Sequence, residues 1–303
     1  MITTTQQSPI TANSVFLLLS IGCLRVTRKL NISAVDTNDI APELLRLSKT
    51  ILQSNELKAI GVFDREVRTW IKARALPSPF QKGIIILPVR LVEAIMQKID
   101  SARVEREQLI SAFLAAYDRC KTEAQEKLGS AFDERDYPDQ EAVKNSFFFD
   151  ATVFEMSTPG KLKAISKELY QMELTRMQNL WTEASATVTG VLLQELRKMT
   201  AHIKDRLTPS ADGKQKIFRD SVVDNFTTWL ELFKSRNITG DAELVDIVDR
   251  AKELISGIDA KELRDNKGLR AQLATDFSGL TDRLDQAIIS APIRSIDLED
   301  EAV

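Results

Sequence analysis

The sequence predicts a mainly α protein: a long antiparallel, coiled-coil-like helical hairpin with a small β-sheet at one end and a C-terminal helical bundle. Three observations predict it. Two very long segments carry apolar side chains at alternating steps of three and four, a short aromatic-rich stretch interrupts them, and glycine and proline are scarce. With 28% charged residues, eleven glycines and nine prolines in 303 residues, the bulk composition is that of a helical protein.

Residues 1–13, with Pro9 and several threonines and glutamines, read as a flexible start that packs little apolar surface. Residues 15–26 are rich in Val, Leu, Ile and Phe, and Leu24, Val26, Leu30 and Ile32 recur at even spacing, which predicts a strand. Pro42 then opens a helical segment with Leu44, Leu47, Ile51 and Leu52, followed by a second with Leu57, Ile60, Phe63, Val67, Trp70 and Ile71. The run Ala75-Leu76-Pro77-Ser78-Pro79-Phe80 cannot be helical, because each proline pushes its predecessor out of the helical region. It leads to Ile84-Ile85-Ile86-Leu87, a β-branched run suited to a buried strand.

The first long arm starts at Pro88, where a missing donor is harmless. Its stripe is Val92, Ile95, Ile99, Ala102, Leu109, Phe113, Ala116, Cys120, Ala124 and, slightly out of phase, Leu128, with Arg106 as the one break and Gly129 as the stop. A stripe kept in register so long implies gentle supercoiling about a partner. Residues 132–156 form the insertion: a charged turn around Tyr137-Pro138, then Phe147-Phe148-Phe149 leading a third strand that ends at Phe154. The three strand runs are expected to share one sheet. The second arm begins with Ser157-Thr158-Pro159-Gly160 and runs through Leu162, Ile165, Leu169, Met172, Leu180, Ala184, Val188, Val191, Leu192, Leu196, Met199, Ile203 and Leu207. Gly190 weakens it by about 1 kcal/mol relative to alanine.

Three shorter helices follow: Phe218 to Phe233; Leu244 to Ile255, stopped at Gly257; and Leu263 to Ile289, interrupted at Gly268 and Gly279. The acidic tail 297–303 reads as disordered. The domains so drawn are an N-terminal part of strand and short helices (1–87), the long hairpin (88–208), and C-terminal helices with their tail (209–303).

The chemistry readable from these residues is sparse. A net charge of −3 gives no overall attraction to nucleic acid or anionic membranes. Cys23 and Cys120 are too few for a disulfide framework, and a reducing cytoplasm suits them. The apolar run 15–24 is too short to span a bilayer, and residues 1–13 hold no lysine or arginine for a signal peptide. Gly213-Lys214-Gln215 lacks the loop and hydroxyl of a phosphate-binding motif and reads as a turn. His202, the sole histidine, reads as structural. Asp133, Glu134, Asp136 and Asp139 lack the spacing of a calcium loop and read as a solvated turn. No catalytic, cofactor or metal residue is expected.

Two surface features suggest binding. Phe147 to Phe149 must place a ring on each face of a strand, and a ring left exposed would be a docking point. Arg65, Arg68 and Lys72 share a helix face, with Trp70 interleaved and Arg74 close by, which is the rudiment of a phosphate-contacting surface, weakened by Glu66.

Three blocks carry a family resemblance: the run Ala75 to Phe80 leading into Gly83-Ile84-Ile85-Ile86-Leu87-Pro88; Phe132-Asp133-Glu134-Arg135-Asp136-Tyr137-Pro138; and Met156-Ser157-Thr158-Pro159-Gly160-Lys161-Leu162. With the long arms, over residues 15–207, they resemble the uncharacterised DUF3150-type helical family of bacteria, archaea and phages. Members are often encoded near a MoxR-type AAA ATPase and a von Willebrand A-domain protein. The resemblance implies an adaptor or a substrate of such a machine, in a phage setting among others, and it carries over no catalytic residue; together with the seam, the aromatic insertion and the sparse chemistry, the expected protein is a non-enzymatic cytoplasmic interaction protein. The expected docking residues are Tyr137, Pro138, Phe148 and Phe154. Two alternatives stand beside it: a nucleic-acid-associated phage protein using Arg65, Arg68 and Lys72, and a membrane-active helical protein with a β tongue.

Overall fold

In the computed structural model, residues 9–30, 47–78, 80, 83–157, 160–210, 212–257, 263 and 266–290 are described. The fold is mainly helical with a small antiparallel sheet of four strands. In chain order the elements are α1 (Pro9–Ala12), β1 (Ser14–Ile21), β2 (Thr27–Lys29), β3 (Ser48–Thr50), α2 (Asn55–Lys72), β4 (Leu76–Pro77) and β5 (Ile84–Pro88). There follow α3 (Val89–Leu128), two 3-10 turns (Gly129–Ala131 and Glu134–Asp136), α4 (Gln140–Asn145), β6 (Phe149–Phe154) and α5 (Leu162–Ile165). The remainder is α6 (Lys167–Leu207), α7 (Asp220–Arg236), α8 (Ala242–Ile255) and α9 (Lys267–Ser290).

The larger sheet has the order β4-β5-β1-β6. All three strand runs read from the sequence are therefore neighbours in one sheet. The run 75–80 adds the short edge β4, with Leu76 opposite Ile86 and Pro77 opposite Ile85. A proline is tolerated there because a two-residue edge strand needs few ladder donors. By contact density the chain divides into two compact units, Met1–Leu17, Arg74–Leu91 and Val153–Val303 in the first, Leu18–Ala73 and Val92–Thr152 in the second.

The first unit has its core along α6, which packs on α9, while α8 packs on both α7 and α9. Met177, Trp181, Ala184, Val188, Leu192, Leu196, Ile203 and Leu207 of α6 share one hydrophobic cluster with Phe226, Leu230, Ile247, Val248, Phe277 and Leu284 of the later helices. The C-terminal helices thus cover the α6 stripe from Met177 onward, while Leu169 and Met172 are exposed. Ser166 caps α6 by accepting from the Leu169 N–H at 3.2 Å. The start expected at Ser157 is displaced, because Ser166 adopts extended backbone and separates α5 from α6. At the head of the same unit, Phe16 lies 5.4 Å from Phe80, 5.6 Å from Phe154 and 5.7 Å from Trp181. Ile10 is fully buried beside them, so residues 9–12 are not the loosely packed start expected; residues 1–8 lie outside the described ones. Helix α9 runs through Gly268 and Gly279 unbroken, since a glycine costs a helix only about 1 kcal/mol and Leu273, Phe277, Leu280 and Leu284 bury the same face.

One buried charge cluster sits in this unit. Arg236, 2% exposed, donates to both Glu195 oxygens at 2.5 and 2.9 Å and to the Ala75 carbonyl at 3.3 Å, and the Trp229 indole donates to Glu195 at 2.7 Å.

In the second unit, β2 and β3 form an antiparallel pair with Arg28 opposite Lys49. Residues 48–50 are strand where a helix through Leu47 and Ile51 was expected, because they pair with β2 and the Ile51 N–H continues the ladder to the Val26 carbonyl at 2.8 Å. Residues 41–46 of that expected helix lie outside the described ones. Helix α2 is capped by Ser54, which accepts from the Leu57 N–H at 3.0 Å. The core joins Leu24, Ile51, Leu52 and Ile60 to Ile110, Phe113, Tyr117, Cys120 and Ala124 of α3 and to Tyr137 and Val143. Helix α3 starts one residue after Pro88 and ends, as the sequence indicated, at Gly129, which has φ +50. Its buried positions are Ile95, Ile99, Ala102, Arg106, Ile110, Phe113, Tyr117, Cys120 and Ala124. Eight steps cover those 29 residues, the 3.6 period of a straight helix rather than the 3.5 of a supercoil. That is why Ile110 and Tyr117 are buried where the seven-residue reading placed Leu109 and Ala116.

Candidate partner-docking site

The one break in the α3 stripe organises the second unit. Arg106 is 2% exposed. Its Nε donates to Asp64 Oδ1 of α2 at 2.8 Å and its Nη2 to Asp64 Oδ2 at 3.1 Å, a two-pronged pair. Nη2 also donates to the Gly22 carbonyl at 2.6 Å, and Nη1 reaches the Phe148 carbonyl at 3.4 Å. The guanidinium lies 5.8 Å from the ring centroids of both Phe147 and Phe149. One planar fork therefore ties α2, the end of β1 and the triple-phenylalanine segment to α3. Arginine suits this role because its donors are fixed in a plane and it is weakly hydrated.

The three phenylalanines differ in surroundings. Phe147 packs edge-on against Phe113 at 5.8 Å. Phe149 opens β6 and is half-buried. Phe148 is 48% exposed, although its backbone is fastened twice, by the Gly22 N–H at 2.9 Å and by Arg106. Its ring lies directly on Gly22: a Cβ at that position would fall 2.1 to 2.6 Å from three ring carbons. The glycine is there to make room for the ring.

The other expected docking residues are buried or half-buried. Tyr137 is 7% exposed, stacks on Phe132 at 4.9 Å and donates its hydroxyl to the Ile51 carbonyl at 2.8 Å. Pro138 accepts at its carbonyl from the Tyr117 hydroxyl at 2.8 Å. Burial pushes the Tyr117 phenol up to about 12 and raises that of Tyr137 as well. Phe154 belongs to the aromatic cluster of the first unit.

Charged residues singled out in the sequence are accounted for individually. Hydrogen bonds from Arg135 hold the Asp133 carboxyl well down, at about 2. Glu134 pairs with Lys121, Asp136 with Lys49 at 2.7 Å, and Asp139 caps α4 by accepting from the Ala142 N–H at 2.7 Å. Among the described residues no three His, Cys, Asp or Glu side chains gather to hold a metal ion. His202 is exposed on α6. Cys23 is exposed and Cys120 buried. On α2, Arg65 and Lys72 are exposed, and Arg68 is half-buried with Nη2 3.4 Å from the Ile21 carbonyl. No described helix is long and apolar enough to cross a membrane.

No protein-family model, curated protein or solved structure matches the chain.

Proposed function

We propose that this chain is a non-enzymatic cytoplasmic adaptor that docks a protein partner through Phe148. The observation that carries the reading is a large aromatic side chain held half in solvent on a backbone whose carbonyl accepts two hydrogen bonds. A pre-ordered aromatic anchor loses little conformational freedom on binding, and such residues dominate interface energetics, commonly at 2 kcal/mol or more, roughly 30-fold in affinity. The resemblance of the sequence blocks to the DUF3150-type family of bacteria, archaea and phages supplies the partner class, a MoxR-type AAA ATPase or a von Willebrand A-domain protein.

The antiparallel hairpin belongs to the same proposal. At 40 and 41 residues, α3 and α6 are each about 60 Å long, and pairing them would present a stiff arm. Spin labels at Gln108 and Thr182 should then lie within roughly 30 Å, given helix axes about 10 Å apart; a separation well above that would remove the hairpin while leaving the docking reading intact.

Docking is tested by affinity capture from the native host with nuclease treatment in parallel. The wild-type protein should retain an ATPase or von Willebrand A-domain protein after nuclease, and Phe148→Asp should lose it with its circular dichroism unchanged. Retention by the folded variant would move the docking point away from Phe148.

A further inference from the structure

Of the three carboxylates of helix α2, only Glu66 is exposed, and it stands at the edge of the outward face. Glu56 pairs with Arg119 at 2.9 Å, Asp64 is buried against Arg106, and Glu66 lies about one residue's rotation, roughly 100°, from Arg65. The middle of that face carries cations. Lys58, Arg65 and Lys72 recur every seven residues and all three are exposed. They form a straight row with members about 10.5 Å apart and about 21 Å from end to end. Lys58 and Arg65 have no ion pair among the described residues. Between them stand Gly61, Val62 and Thr69, also exposed, and Arg68 flanks the row. Trp70 is rotated by roughly 140° from Arg65, so the aromatic that the sequence placed among these cations is off the face.

A row of one sign on a chain of net charge −3 is a local arrangement, not a by-product of overall basicity. We infer that the outward face of α2, through Lys58, Arg65 and Lys72, binds the phosphate backbone of nucleic acid without reading its sequence. A duplex strand places a phosphate about every 3.4 Å of helix axis, so the row spans about six base pairs with a cation near every third phosphate. Gly61 and Thr69 leave the intervening surface low, and the Thr69 hydroxyl is a further phosphate donor. The row is linear and has only Val62 as an apolar neighbour, which suits a polyanionic strand better than a lipid surface, where buried apolar area adds to charge.

The test is fluorescence anisotropy with a labelled 20-base-pair duplex of arbitrary sequence. Three phosphate contacts give a slope of log affinity on log salt near −2.7, about a 40-fold loss between 50 and 200 mM salt. Neutralising two of them, Lys58→Gln with Arg65→Gln, should bring the slope to about −0.9 and weaken binding at 50 mM salt more than tenfold. Arg65→Lys should retain the slope, and Lys198→Gln, an exposed cation of α6, should change affinity less than twofold. Circular dichroism confirms that each variant is folded. The inference is overturned by absence of duplex binding at 50 mM salt, by equal losses in the α2 and Lys198 variants, or by α2-dependent binding to vesicles containing phosphatidylserine with none to the duplex.

Discussion

Removing either partner of the Arg106–Asp64 pair should destabilise the second unit far more than removing both. Asp64→Ala strands a guanidinium whose side chain is 2% exposed, and loss of one member of a buried pair costs about 3 to 5 kcal/mol. Arg106→Met strands the Asp64 carboxylate, at 12% side-chain exposure, and also the Gly22 carbonyl, which accepts Arg106 at 2.6 Å. Its cost is of the same order, about 3 to 5 kcal/mol. If the two were independent the double variant would lose about 6 to 10 kcal/mol. With both charges gone the desolvation term disappears, and what remains is mainly the orphaned Gly22 carbonyl, about 1 to 3 kcal/mol. The Phe148 carbonyl keeps its bond from the Gly22 N–H. The assay is hydrogen exchange of peptides from residues 92–128 across a urea series, which reports the second unit without averaging in the first. A double variant as unstable as the sum of the two singles would refute the reasoning, because it would mean that Asp64 and Arg106 act through other neighbours.

Three more outcomes follow from named contacts. Gly22→Ala should drive the Phe148 ring off its seat, since the new Cβ falls 2.1 Å from a ring carbon; we expect a stability loss near 1 kcal/mol, at the low end for overpacking, and partner capture reduced as far as in Phe148→Asp. The raised Tyr117 phenol is neutral in the folded state until about pH 12, whereas the unfolded chain ionises it near 10. Its contribution is therefore complete below about pH 10 and lost as pH climbs from about 10 to 12; Tyr117→Phe should flatten the fall in urea midpoint over that window and remove the highest step of the absorbance titration at 295 nm. Glu195→Ala should cost about 2 to 3 kcal/mol, below the full buried-pair value, because the Glu195 side chain is 35% exposed although Arg236 and Trp229 both depend on it; Glu195→Gln, which keeps an acceptor, should cost less on the same unfolding curve.

Strands and helix ends were legible wherever a short-range signal sets them. β1, β5 and β6 were visible as short β-branched or aromatic runs, and Gly129 and Gly257 as stops, because a residue with φ +50 or +74 ends a helix on local grounds. Residues 48–50 were misread because Leu47, Ile51 and Leu52 fit a helical period, while a partner strand twenty residues away decides their state. Arg106 was visible as an interruption of the stripe, but its meaning was not: the carboxylate that receives it lies 42 residues back, on another helix. Nor could the sequence tell that Tyr137 is buried and Phe154 packs against a core while Phe148 is half exposed, since the aromatic residues of one insertion look alike until their backbone contacts are known. The cationic row of α2 was half visible. Arg65, Arg68 and Lys72 share a face by spacing alone, while Lys58 joins the row once its exposure is known.

The two surfaces proposed here share a support, and that determines how they can be told apart. Helix α2 turns Asp64 inward to Arg106 and Arg65 outward to solvent, while Arg106 also holds the Phe148 carbonyl. Loosening the pair should therefore weaken partner docking and phosphate binding together, through mobility of α2 and of residues 147–149. Surface variants act on one alone: Phe148→Asp leaves the cations in place, and Lys58→Gln with Arg65→Gln leaves the ring on Gly22. If the surface variants separate the two bindings and Asp64→Ala lowers both, the buried pair positions two independent sites. If Phe148→Asp also abolishes duplex binding in a folded protein, the two faces form a single surface and a partner that bridges them would have to be nucleic acid itself.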